Sequence, residues 1–399
     1  MVPSFNRFAL GLCACTALAG CNVPQSGTAP IGMQQQASTP RANAAGQRAG
    51  SGKIEHVIVI VQEARSFDNL FCQYSGSDAS TCSSPSIPLE AKCRISDTFG
   101  DFERDRKTGD FSHEKTDCPG YSRPQYATVP RKETQPYRAI AEEYVLGDHM
   151  FSSTGNPTFE SHQYHIAAQA DGINQPFGSA PSDGCVYQEQ VHQFDGPPQP
   201  ACAAYQTLAS ELTAAGLTWA YYAAGRSEPT WDAFGWVKGY PAGTTPPAQF
   251  LKDVSSGRLD TVTWVTPELK DSDLSGSRSA TGPAWVASLV NAVGESSYWN
   301  TSAIFITWSG FGGWADHVSP PRLDRGGLGF RVPLLVVSPY AKQNYVSHVT
   351  FETGSVLKFS EDLFGLPRLA ASDSRSNSPA TDCFDFSQSP RAFVAIPTH

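Results

Sequence analysis

Basic residues are scarce in this chain. Across 399 residues, 29 lysines and arginines face 38 aspartates and glutamates, giving a net charge of −9 and a pI near 5.5. Non-specific nucleic-acid binding needs a basic surface against phosphate, so that class is excluded. There is no internal repeat, and beyond residue 21 no apolar run is long enough to cross a bilayer as a helix. The cysteine spacings do not resemble those of zinc ligands. The chain does have 40% hydrophobic and 11% aromatic residues, ample for a substantial core. Its 34 glycines and 30 prolines predict many ordered loops.

The first residues read as a targeting segment. Arg7 precedes the apolar stretch Phe8–Ala19, too short for a stable membrane helix. The stretch ends in Leu18-Ala19-Gly20-Cys21, which is similar to the lipobox of bacterial lipoproteins, where the cysteine becomes the lipidated first residue. The alternative is an ordinary secretory signal with a chance cysteine. Residues 22–52, rich in Gln, Ala, Ser, Pro and Gly, read as a flexible linker, leaving 53–399 as one α/β domain. Export to an oxidising compartment predicts disulfides. Cys185 and Cys202 bracket a Pro/Gly/Gln-rich loop and are expected to pair. Cys72, Cys82, Cys93 and Cys118 make two more bridges of open connectivity, and Cys383 is left over.

The chain is organised around SAIFITWSGFGGWADHV, Ser302–Val318. The continuous apolar and β-branched run Ala303–Thr307 predicts a strand buried on both faces of a parallel sheet. In such sheets chemistry lies beyond the carboxyl ends of the strands. Ser309 and Gly310 therefore stand where ligands belong, and neither is an acid. Ile54–Val61 (IEHVIVIV) predicts another central strand, with Glu63 just past its end. Further strands are expected at Thr218–Ala223, Leu259–Pro267 and Val332–Ser338. Helices are expected at Thr134–Gly147, from Thr158, and at Gln206–Ala215, Pro283–Ser296 and Gly354–Phe364. This alternation predicts a mostly parallel, doubly wound α/β sheet with helices on both faces and long disulfide-bearing loops. Asp101–Asp110 (DFERDRKTGD) alternates acids as a calcium loop does. It lacks the glycine at position six and the closing glutamate, and reads as a solvated charged segment. Gly172–Ala201 reads as a long loop. Thr158, opening its helix, serves either as an N-cap or as a hydroxyl placed where the helix N-terminus favours phosphate; local sequence favours the cap.

Ile54–Phe71, Tyr144–Gln169, Leu259–Pro321 and Gly329–Phe386 together resemble the bacterial phosphoesterase family of acid phosphatases and phosphocholine-type phospholipases C, with an alkaline-phosphatase-like core. RVPLLVVSPYAKQNYVSH and GSVLKFSEDLFGLP are especially close. The resemblance implies a divalent metal held by a Glu-Asn pair after the first strand and two acids after the late one. It also implies a Ser or Thr nucleophile in a Pro-Ser/Thr segment. Here those positions are Glu63 and Ala64, Ser309 and Gly310, and Thr158 after Pro157. A family histidine is replaced by Leu274, following Asp273, and another aligns loosely with Asp101. Asp316-His317-Val318 is kept. The resemblance makes His317 a catalytic candidate, and Asp316 and His348 candidate phosphate contacts.

Hydrolysis by this route needs an attacking hydroxyl, a cation to activate it and neutralise the phosphoryl oxygens, and an acid for the leaving oxygen. Of the four family ligands only Glu63 remains in kind, expected as an unpaired carboxylate in a cleft. Losing even an outer hydrogen-bond partner costs a metal site about 10–100-fold, and here two carboxylates and an amide are missing. The expectation is an exported lipoprotein, membrane-anchored through Cys21, that binds divalent metal weakly or not at all. Hydrolysis is then weak or absent, and binding of a phosphoester, a phospholipid headgroup or a protein partner is kept. The alternative is a working acid phosphatase or phospholipase C that recruits Asp316, Asp273 or Asp68 as substitute ligands. His162 and His165 read as packing residues of a helix, and Arg65 with Asp68 as a local pair at the strand exit.

Overall fold

The computed structural model describes residues 50–155, 158–170, 173–179, 185, 189–193, 196–200, 202–240, 245–324 and 326–398. The signal segment with Cys21, the linker as far as residue 49, and Pro157 lie outside the described residues.

The seven strands of the main sheet are, in chain order, β1 (His56–Gln62), β2 (Val145–Gly147), β3 (Trp219–Tyr222), β4 (Val262–Val265), β5 (Ser302–Trp308), β6 (Leu334–Val337) and β7 (Tyr345–Ser347). They lie side by side as β7-β2-β6-β5-β1-β4-β3. All neighbours run parallel except β6, which is antiparallel to both β5 and β2. β1 and β5 are the centre, in register from His56 opposite Ser302 to Gln62 opposite Trp308. Every residue of β5 is buried, which is why its sequence shows no polar alternation. β1 is flanked by β4 on one side and β5 on the other, so the chain switches direction there and leaves a crevice at the carboxyl ends of both.

The helices, in chain order, are α1 (Phe67–Phe71), α2 (Phe99–Thr108), α3 (Gln135–Glu143), α4 (Thr158–Ala167), α5 (Leu208–Ala214), α6 (Ala248–Ser255), α7 (Gly282–Gly294), α8 (Thr353–Phe364) and α9 (Ala371–Arg375). Residues three apart on a strand face opposite sides of the sheet. Phe305 meets Phe359 of α8, and Trp308 meets Tyr137 of α3, each at a centroid distance of 4.9 Å. Helices therefore cover both faces: α3 packs with α7 on one, α4 with α8 on the other. α7 starts at Gly282-Pro283, with proline in the first turn where its missing N–H costs nothing.

Among the described residues, three disulfides join Cys72 to Cys82, Cys93 to Cys118, and Cys185 to Cys202, and Cys383 is free and buried. Some expectations are corrected. The charged Asp101–Asp110 stretch is mostly α2: Thr98 caps its start, and Gly109, at φ 66°, ends it in the left-handed region. Its inward face carries Phe102 and Asp105, three residues apart. The long loop after Gly172 contains a three-stranded antiparallel sheet, Ile173–Ser179, Glu189–Gln193 and Gly196–Pro200. The helix expected to reach Gly147 stops at Glu143, because Val145–Gly147 is claimed by the sheet. The linker was expected to run to residue 52, yet Gly50 is already buried against Phe386.

Candidate active site

At the carboxyl end of β1 the chain turns through Gln62-Glu63-Ala64. The Ser309 N–H donates to the Gln62 carbonyl at 2.8 Å, extending the β1–β5 pairing one step past both strands. This brings Glu63, Ala64 and Ser309 together, with Gly310 next in the chain. Glu63 is fully buried but is not the unpaired carboxylate expected. One oxygen, Oε1, lies 2.8 Å from His162 Nε2 on α4. The other, Oε2, accepts the Ser309 hydroxyl at 2.7 Å. Ser309 Oγ in turn accepts the Ala64 N–H at 3.3 Å, and the Ser161 hydroxyl donates to the Ser309 carbonyl. β1, β5 and α4 are thus tied through one carboxylate.

Thr158 is the first residue of α4, inside the helix and half-buried, so it is not the cap that local sequence favoured. Residues three and four apart share a helix face. Thr158 therefore stands one turn before Ser161 and His162, at the positive end of the helix. The Nδ1 of His162 and both ring nitrogens of His165 are buried without a hydrogen-bond partner. Burial holds His165 far below the ordinary histidine range, with the neighbouring His162 adding to this.

Two backbone features shape this turn. Ala64 sits at φ 43°, a left-handed conformation that suits Asn or Gly better than Ala. Gly312, at φ 62°, lets the following loop approach so closely that a Cβ there would collide with the Ala64 carbonyl. At Gly310 no atom lies within 4 Å of where a Cβ would stand, so the space for a side chain is open. Nearby, Asp273 Oδ2 accepts the Tyr137 hydroxyl at 2.8 Å and the Trp308 indole N–H at 3.0 Å. Burial pushes its carboxyl up to about 6, against the pull of Arg65. The expected Arg65–Asp68 pair is not formed. Arg65 Nε donates to the Asp273 carbonyl at 2.6 Å, its guanidinium stacks over Trp314, and Asp68 turns the other way.

Asp68, Asp316 and His317 form a second cluster, with ligand-type atoms all within 4.8 Å of one another. Arg331, fully buried, fills its centre. Its Nε donates to Asp316 Oδ1 at 2.8 Å and its Nη2 to Asp68 Oδ1 at 3.3 Å. His317 Nδ1 lies 2.7 Å from Asp68 Oδ2, and its Nε2 lies 3.1 Å from Asp78. Burial pulls the His317 ring down, but hydrogen bonds and charge from Asp68 and Asp78 raise it overall. Asp316 is pushed up to about 6 by burial and by Asp68. His348 pairs with Asp148 at 2.9 Å and is mostly exposed. Asp316 and His317 thus meet Asp68, Asp78 and Arg331, while His348 meets Asp148. Asp101, the loose match to a family histidine, accepts from Thr98, Ser96 and Arg104 at the start of α2.

The sequence pattern of the phosphoesterase family matches residues 121–367. The chain belongs to the phosphoesterase family. Among its relatives, phospholipase C A of Mycobacterium tuberculosis is 29% identical over 153 residues, covering 32% of this chain and 29% of the relative. Phospholipase C B of the same organism is 31% identical over 173 residues, covering 37% and 33%. The non-hemolytic phospholipase C of Pseudomonas aeruginosa is 25% identical over 242 residues, covering 49% and 34%. The chain spans about a third of the length of these relatives. Among solved structures it is similar to the PsFucS1 sulfatase from Pseudoalteromonas sp., with TM-score 0.46, 11% identity, and coverage of 86% of this chain and 75% of that one. It is also similar to a protein of the alkaline phosphatase superfamily from Vibrio parahaemolyticus, with TM-score 0.42, 11% identity, and coverage of 85% and 72%.

The resemblance places a divalent ion at Glu63, Ala64, Ser309 and Gly310. A divalent ion needs several free oxygens. The four positions offer one carboxylate, one hydroxyl and no side-chain oxygen from Ala64 or Gly310, and both Glu63 oxygens are already hydrogen-bonded. Sequence reasoning missed His162 as the partner of Glu63. The signal was available: a buried carboxylate needs donors, and Ser309 and a histidine on the facing helix supply them.

Proposed function

We propose that this chain is an exported lipoprotein, anchored through Cys21, that binds a phosphoester such as a phospholipid headgroup and hydrolyses it weakly or not at all. One observation carries the reading: His162 and Ser309 take the two Glu63 oxygens that a cation would use. A threonine hydroxyl is a feeble nucleophile near neutral pH without an activating base or ion. Thr158 retains the position at the N-terminus of α4 that favours phosphate, which supports binding.

The test uses the soluble chain without residues 1–21. Phosphate and vanadate should raise its melting temperature, and Thr158→Ala should abolish the shift. No shift in the parent chain would remove the binding claim. Labelled lipid should enter the full-length protein and not its Cys21→Ala variant; equal labelling would remove the anchor.

The second reading is an active acid phosphatase or phospholipase C with substitute ligands. The convergence of Asp68, Asp316 and His317 favours it. Against it, Arg331 already neutralises the two aspartates.

A further inference from the structure

Outside both clusters, the segment closed by the Cys93–Cys118 disulfide, with Gln125 just beyond it, holds a set of side chains that none of the chemistry above uses. Asp105 lies on the inward face of α2, one turn after Phe102, and is fully buried. Glu114 is 6% exposed and Gln125 3%. The Glu114 N–H and the Gln125 Nε2 both donate to the Phe111 carbonyl, at 3.3 and 2.9 Å, which sets these two residues side by side. Asp105 is within hydrogen-bonding reach of Glu114.

Five oxygens are left over. Asp105 Oδ1 and Oδ2, Glu114 Oε1 and Oε2, and Gln125 Oε1 are all buried without a hydrogen-bond partner. Buried polar groups are rarely left so. Two facing carboxylates, if both ionised, have acceptors only, so either a cation or a shared proton lies between them; burial and the Asp105 carboxylate push Glu114 up to about 11 when no cation is bound. The nearest cation is Arg104, whose Nε is 3.9 Å from Asp105 Oδ1 while its Nη2 is held by Asp101 at 2.6 Å. Asp97 and Asp101 add further negative field.

We propose that Asp105, Glu114 and Gln125 form a binding site for a divalent cation of the calcium class. Calcium accepts a large, irregular set of oxygen ligands, including carboxylates bound through both oxygens, amides and backbone carbonyls. The ligands come from an α-helix, a bend and a 3-10 helix, so the spacing of the Asp101–Asp110 stretch does not show the site. The rival occupant is a single proton shared between the two carboxyls.

The experiment is a calorimetric titration of the soluble chain with calcium chloride after chelator treatment, with magnesium chloride in parallel. The parent chain should bind one calcium ion and melt a few degrees higher with it. Asp105→Asn and Glu114→Gln should each weaken calcium about 10-fold or more while still unfolding cooperatively. Should either variant fail to fold, terbium luminescence sensitised by the adjacent Tyr126 in the parent chain, displaced by calcium, carries the same test. A folded parent chain that shows neither calcium heat nor terbium emission overturns the site. So does a Glu114→Gln variant more stable than the parent in chelator that leaves calcium binding unchanged, which assigns the gap to a proton. No readout here involves phosphate or Thr158, so the outcome is independent of the proposed function.

Discussion

Ser309→Ala removes one oxygen, and the structure says what that oxygen does. Its hydroxyl gives Glu63 Oε2 a hydrogen bond of 2.7 Å in a fully buried setting, and it accepts the Ala64 N–H at 3.3 Å. A hydrogen bond to a charged group contributes about 1.5–3 kcal/mol, and leaving a buried group unpaired adds to the loss. Loss of about 2–4 kcal/mol of unfolding free energy is expected. Urea denaturation reads it as a lower midpoint at unchanged slope. Ser309→Asp should cost more without metal, since it sets a second carboxylate against Glu63, and should recover when manganese or magnesium is added. If Ser309→Ala stays within about 0.5 kcal/mol of the parent, the size of an ordinary surface change, Ser309 is not a stand-in for the cation and the reasoning fails.

Four other outcomes are expected. Arg331→Met leaves the Asp68 and Asp316 carboxylates buried without their cation and should destabilise by about 3–5 kcal/mol, read by denaturant unfolding. The raised His317 means that its contacts with Asp68 and Asp78 stabilise fully below its ordinary value of 6.5 and fade as pH climbs through the raised one. His317→Asn should flatten that alkaline-side slope in melting temperature. Asp273, raised by burial to about 6, acts on the acid side: the folded state holds its proton longer, so this group's contribution falls as pH rises from about 4 to about 6. Restoring Ala64→Asn, Ser309→Asp, Gly310→Asp and Leu274→His together should create metal-dependent turnover of a chromogenic phosphate ester. No gain would mean that the lesion extends past these four positions.

The central strands were legible because burial on both faces leaves a continuous apolar run, as in Val57–Val61 and Ala303–Thr307. The meeting of Glu63, Ala64, Ser309 and Gly310 followed from parallel pairing, since two strands in register end side by side. The strands after Gly172 were not legible, because Gly- and Pro-rich segments pair through backbone groups without a period-two pattern. α2 was misread because its charged residues hid an inward face of only Phe102 and Asp105, although Thr98 and Gly109 marked its ends. The partners of buried charges were hardest to see. Arg331 reaches Asp316 across 15 residues and Asp68 across 263, and no local pattern encodes such a contact.

The proposed loss of the catalytic cation is tested most directly by steady-state turnover. The soluble chain should be assayed on a chromogenic phosphate monoester and on a phosphocholine ester, across magnesium, manganese, calcium and zinc. The expected result is a rate at the level of the Thr158→Ala variant with every ion. A metal-stimulated rate that Thr158→Ala abolishes would contradict it and make this chain a working phosphoesterase.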